Sequence, residues 1–169
     1  MKLLTHDAGR CELQFSTQEK DLLLSLLPQY PKLPADHHQA SRNGDADAEV
    51  QKLLADALAE QRESNRAAAQ AFLATTARFE PDADDWRLSL TDAEVEWLLQ
   101  VLNDLRVGSW LALGSPGQDE DGSYLDFENI TAENVNDLWT MEICGALEYE
   151  LLSVLHGETP NDQSPTPKE

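Results

Sequence analysis

Asn103, Asp104 and Arg106 stand within four residues of one another, and Trp97 and Trp110 flank them in the stretch Thr91 to Gly114. An arginine beside carboxylates and tryptophans has two uses. Its planar fork can meet a carboxylate through two parallel hydrogen bonds, and its face can stack on an indole. A second carboxylate, Glu142, lies within an apolar run nearer the C-terminus, together with Trp139. Antiparallel packing of the two stretches would set Arg106 against Glu142 or Asp104, with Gln61 or Asn65 completing the donors and acceptors. The result is either a buried ion pair that fixes helix register, or a small anion- or peptide-binding pocket. In the pocket reading Arg106 is the anchor and Trp97, Trp110 and Trp139 are the walls.

A second constellation is acidic. Asp119, Asp121, Gly122 and Glu128 fall at positions 3, 5, 6 and 12 of a calcium-binding loop. Position 1 is Gly117, where that loop needs a carboxylate, so an acidic surface loop is the simpler reading and no metal is expected. His37 and His38 beside Asp36 form the one histidine cluster, in a loop without ligands at helical spacing. The chain has no Gly-rich phosphate loop, no G-x-S-x-G, no H-E-x-x-H and no Cys/His pair at usable spacing. Cofactors are expected to be none, and no catalytic residue is assigned.

The charge is uneven. The net charge is −20. Residues 1–79 hold nine Lys/Arg against eleven Asp/Glu, whereas residues 80–169 hold three against twenty-one. Such a half repels phosphates and anionic lipid, which argues against nucleic acid and membrane as direct partners. No apolar run approaches 18 residues, and the start MKLLTHDAGR lacks a signal-peptide core. Cys11 and Cys144 are far apart and read as small buried thiols in a cytoplasmic protein.

The elements that must position these groups are mostly helices. Thr91 and Glu94 have capping-box spacing, and Val95, Leu98, Leu99, Leu102 and Leu105 follow at helical steps. Gly108-Ser109 lowers helix propensity and offers close approach to another helix. Lys2 to Phe15 reads as a β-hairpin around Asp7 and Gly9. Ser16 and Glu19 repeat the capping box and open a helix that ends by Pro28. Residues 28–46 form a loop, and Asp47 caps a long helix from Ala48 to Arg78. Gln61 and Asn65 interrupt its apolar stripe, which calls for buried partners or an exit into solvent. Residues 80–90 read as an acidic connection, and Thr131 opens a last helix to His156. The fold expected is mainly α: a four-helix, bundle-like single domain over residues 1–156 with a short N-terminal β-hairpin, then a disordered tail at 157–169.

Leu90, Thr91, Glu94, Trp97, Leu98, Leu102, Asn103, Asp104, Leu105 and Arg106 spell LT-x-x-E-x-x-W-L-x-x-L-N-D-L-R. This resembles the signature of an uncharacterised bacterial family, best known from actinobacteria, and a looser likeness runs from about residue 10 to 155. The resemblance implies an all-helical protein without an established catalytic activity, whose gene often neighbours that of the Clp protease adaptor. It also hints at a role for Asn65. The chain departs from the pattern after Arg106, where similar proteins often continue with a glycine and a second arginine and this one reads VGSWLALG. The function expected is a non-catalytic cytosolic protein-interaction or regulatory factor, with a link to Clp proteolysis implied by the resemblance. The alternatives are a metal-assisted carboxylate hydrolase and an acidic decoy of basic nucleic-acid-binding proteins.

Overall fold

The computed structural model describes residues 1–34, 37, 48–117 and 130–155, and of residues 48, 76, 154 and 155 the backbone alone. The fold is mainly helical, with four α-helices among the described residues and an N-terminal antiparallel hairpin ahead of them. The hairpin pairs β1 (Lys2–Asp7) with β2 (Arg10–Phe15). Its turn places Ala8 and Gly9 at positive φ (52° and 77°), the backbone twist that joins two strands most tightly. Cys11, Leu13 and Phe15 point inward from β2 and alternate with Glu12 and Gln14, so one sheet face belongs to the core.

Residues 80–90 are not a plain connection. They contribute to a second hairpin, β3 (Phe79–Asp82) with β4 (Asp85–Thr91), turned at Ala83 with φ 57°. β4 pairs with β2, placing Cys11 beside Leu90, Leu13 beside Leu88 and Phe15 beside Trp86. The sheet order is β1-β2-β4-β3. Trp86, Leu88 and Leu90 alternate with Arg87 and Ser89, and this period-two pattern outweighs the acidic residues before it.

α1 (Thr17–Leu26) starts on the Ser16–Glu19 capping box and gives way to a 3₁₀ turn at Leu27–Gln29 around Pro28. The Tyr30–Pro31 bond is cis. α2 (Ala48–Ala74) is the longest helix described and stops short of the Arg78 expected from the sequence, giving way to a 3₁₀ turn at Thr76–Arg78 before β3. α3 (Asp92–Ala112) begins where β4 ends, since Thr91 is both the last strand residue and the N-cap. Glu94 N donates to Thr91 Oγ1 at 3.2 Å, and Thr91 N donates to Glu94 Oε2 at 2.8 Å. α4 (Val135–Leu155) starts four residues after Thr131, behind a hydrogen-bonded turn in which Thr131 N donates to Asn134 Oδ1 at 2.7 Å. Burial falls on one cluster: the inner sheet face, Leu23 and Leu26 of α1, Val95 to Leu105 of α3, and Cys144, Leu147 and Leu151 of α4. Asp36, His38, Asp47, the 119–128 loop, His156 and the 157–169 tail lie outside the described residues.

Candidate functional site: a polar cleft between the long helix and the central helix

Four groups converge on the segment that follows the cis bond. Asp104 Oδ1, on α3, accepts the backbone N–H groups of Lys32 at 2.7 Å and Leu33 at 3.0 Å. Arg62, on α2, donates to the Leu33 carbonyl and lies 3.5 Å from Asp104 Oδ2. Lys32 pairs through its ammonium with Asp137 on α4. Gly108 lets the segment lie flat on α3: a Cβ there would come within 2.8 Å of Lys32 C and Leu33 N. The glycine admits this chain segment rather than the second helix expected from the sequence. One stretch, 30–34, thus ties α2, α3 and α4 together.

Beside that hub runs a chain of carboxamides. Asn65 is 6% exposed; its Oδ1 accepts from Gln61 Nε2 at 3.0 Å, and its Nδ2 donates to Gln100 Oε1 at 3.1 Å. Gln61 Nε2 also reaches Gln100 Oε1 at 3.3 Å. The buried Tyr30 hydroxyl joins through Asn65 and Arg62; burial pushes the phenol above its ordinary value, against the pull of those two partners. The indole N–H of Trp97 donates to the Asn65 carbonyl at 3.2 Å, and the ring packs on Phe72. This is the partner set that the break at Asn65 calls for, and burial of Asn65 without it would cost about 1–3 kcal/mol for each polar group, whereas Gln61 and Gln100 are exposed to solvent.

Outside the amides lies a cleft of about 380 Å³. Leu54 and Leu58 of α2 make its apolar wall, Leu33 and Pro34 close one end, and Gln100, Asn103 and Asp104 line the α3 side. Its size is at the lower end of ligand-binding pockets. Among the described residues, Gln61 Oε1 and Gln100 Nε2 keep an acceptor and a donor not used by the protein.

Only part of the expected constellation is brought together. Asn65, Asn103 and Asp104 line the cleft. Arg106 does not. Its Nε lies 2.8 Å from Glu148 Oε2, and its Nη2 donates to Asn103 Oδ1 at 3.0 Å. Of the two partners expected from the sequence, Asp104 faces Arg62 and Glu142 is exposed, positions 142 and 148 lying about 120° apart around the helix. Burial raises the Glu148 carboxyl above its ordinary value, with Arg106 pulling it down. Trp110 donates to the Pro116 carbonyl at 3.0 Å, beyond the α3 C-terminus. Trp139 is 62% exposed on α4. Arg62 is the residue the sequence reading missed. Its signal was position, one turn before Asn65 on the face that carries Leu54 and Leu58.

Among the described residues, no three His, Cys, Asp or Glu converge as a metal site. The cysteines are buried and free, and burial, reinforced by the Glu148 charge, pushes the Cys144 thiol up to about 12, so it stays protonated at neutral pH. His6 Nε2 meets Asp92 Oδ1 at 3.1 Å on the exposed sheet edge, away from the cleft. No helix among the described residues is long and apolar enough to cross a membrane. The chain matches no protein-family model, no curated protein and no solved structure.

Proposed function

We propose that the chain is a non-catalytic, cytosolic protein-interaction factor that receives a peptide segment of a partner protein in the cleft between α2 and α3. The supporting observation is the leftover acceptor and donor, Gln61 Oε1 and Gln100 Nε2, beside the apolar wall of Leu54 and Leu58. A peptide unit has the complementary pair, one N–H and one C=O, and an apolar side chain on the neighbouring residue fits the leucine wall. The amide chain behind the cleft is held at both ends, by Trp97 and by the Tyr30–Arg62–Asp104 group. Recognition there is therefore preorganised, and little side-chain entropy is lost on binding. Val50 and Leu53, 53% and 65% exposed, carry apolar surface further along the same helix.

The net charge of −20 favours a neutral or basic partner segment over an acidic one. The family resemblance adds Clp-dependent proteolysis as the setting. The test is affinity capture from the source cytosol with the tagged wild type and with Leu58→Arg, which fills the cleft from an accessible wall. A partner retained at high salt by the wild type and lost from a variant of unchanged thermal midpoint is the expected result. Identical captured sets would remove the cleft from the account.

A further inference from the structure

α4 is apolar on two sides. Its inner side, with Met141, Cys144, Leu147 and Leu151, belongs to the protein interior. On the outer side, Trp139, Glu142, Ala146 and Tyr149 recur at steps of three, four and three, and all four are exposed. That is the seam spacing by which one helix takes another. The two aromatics are large and uncovered, Trp139 at 62% and Tyr149 at 71%, and over their ten-residue separation the stripe runs about 15 Å. A core explains the inner side. Among the described residues, nothing covers the outer one.

The seam has a charge at its centre. Glu142 makes no ion pair among the described residues, and neither lysine nor arginine occurs between residues 107 and 167. A second copy of this chain fits badly. It would bring two bodies of net charge −20 together, and parallel pairing would set Glu142 on Glu142. A cationic helix fits well: its lysine or arginine reaches Glu142 while its methylenes lie on the rings of Trp139 and Tyr149. We propose that the outer face of α4 receives an amphipathic helix of a partner protein that presents one lysine or arginine to Glu142, between apolar residues packed on Trp139 and Tyr149. This surface is separate from the cleft, and its test stands apart from that of the cleft.

The probe is a synthetic 21-residue helical peptide, an invented ligand of about three heptads, with leucine along its seam and one central arginine. A companion peptide carries glutamate at that position. Titrated into the chain, with the heat of binding as readout, the arginine peptide is expected to bind about tenfold or more tightly than its companion. Trp139→Ala is expected to weaken it about tenfold, as loss of an aromatic anchor does. Glu142→Arg should reverse the order of the two peptides. Both sites are exposed, so the variants should keep the wild-type thermal midpoint. Equal binding of the two peptides, no binding of either, or wild-type affinity in Trp139→Ala would each overturn the proposal. So would self-association of the wild type that Trp139→Ala abolishes, because that gives the face to a second copy.

Discussion

One carboxylate oxygen of Asp104 holds the backbone N–H of Lys32 at 2.7 Å, across 72 positions of sequence. The same oxygen takes the Leu33 N–H, and the other faces Arg62. A single side chain on the central helix therefore fixes the chain segment that closes the cleft. Asp104→Ala leaves two backbone donors and a guanidinium without their acceptor, a loss of roughly 2–3 kcal/mol. Asp104→Asn keeps an oxygen and should fall between. Urea denaturation reads both, and a wild-type midpoint in Asp104→Ala would contradict the role given to this residue.

Gly108 predicts a steric counterpart. With a Cβ 2.8 Å from the backbone of Lys32 and Leu33, Gly108→Ala must displace that segment, although alanine is the better helix former. Overpacking of this kind costs about 1–3 kcal/mol. The melting temperature should fall. A rise would mean that the segment yields freely.

Glu94 carries a pH dependence. Burial works against its charged form, but the Thr91 backbone N–H and the Arg78 guanidinium outweigh it and hold the carboxyl below its ordinary value of 4.5. A depressed folded-state value stabilises the fold above the unfolded value, and that contribution is lost as pH falls through the folded one. Glu94→Gln keeps a capping oxygen and removes the charge. It should cost about 0.5–1 kcal/mol at pH 7, the size of a half-exposed ion pair with a helix-dipole contribution. The difference from wild type should start to shrink as the pH drops below 4.5 and be gone only beneath the lowered folded-state value. A difference constant with pH would contradict the assignment.

Both capping boxes were legible in the sequence because they are made within four residues, Ser16 with Glu19 and Thr91 with Glu94. The first hairpin was legible for the same reason, in its Gly9 turn. The second hairpin was hidden by the EPDADD run, although the alternation of Trp86, Leu88 and Leu90 was there to be read. The buried amide at 65 was marked by the break in an apolar stripe, but its partners Gln100 and Tyr30 are long-range contacts with no local signal. The partner of Arg106 failed for a different reason. An apolar helix with exposed aromatics on its outer side has no single inner side to read, so its rotational phase, and with it the choice between Glu142 and Glu148, was undetermined.

Arg106 and Glu148 should behave as a structural pair. Burial raises the Glu148 carboxyl, so its charged form is a cost to the fold that grows as pH rises through the raised value. Arg106 offsets that cost. Because Arg106 is 40% exposed, Arg106→Ala should lose only about 1 kcal/mol at pH 7 after allowance for solvent screening. The loss should shrink on acidification, as Glu148 takes up a proton. A deficit that grows toward low pH would assign Arg106 to another partner.

Photocrosslinking from inside the cleft reads out directly whether a partner segment occupies it. A photoreactive phenylalanine analogue at position 58, on the apolar wall, is irradiated in the living source cell, with position 66 on the exposed side of the same helix as control. A discrete adduct is expected from position 58, mapping by mass to one peptide segment of one partner protein, and none from position 66. The same adducts from both positions, or none from position 58, would contradict occupancy of the cleft.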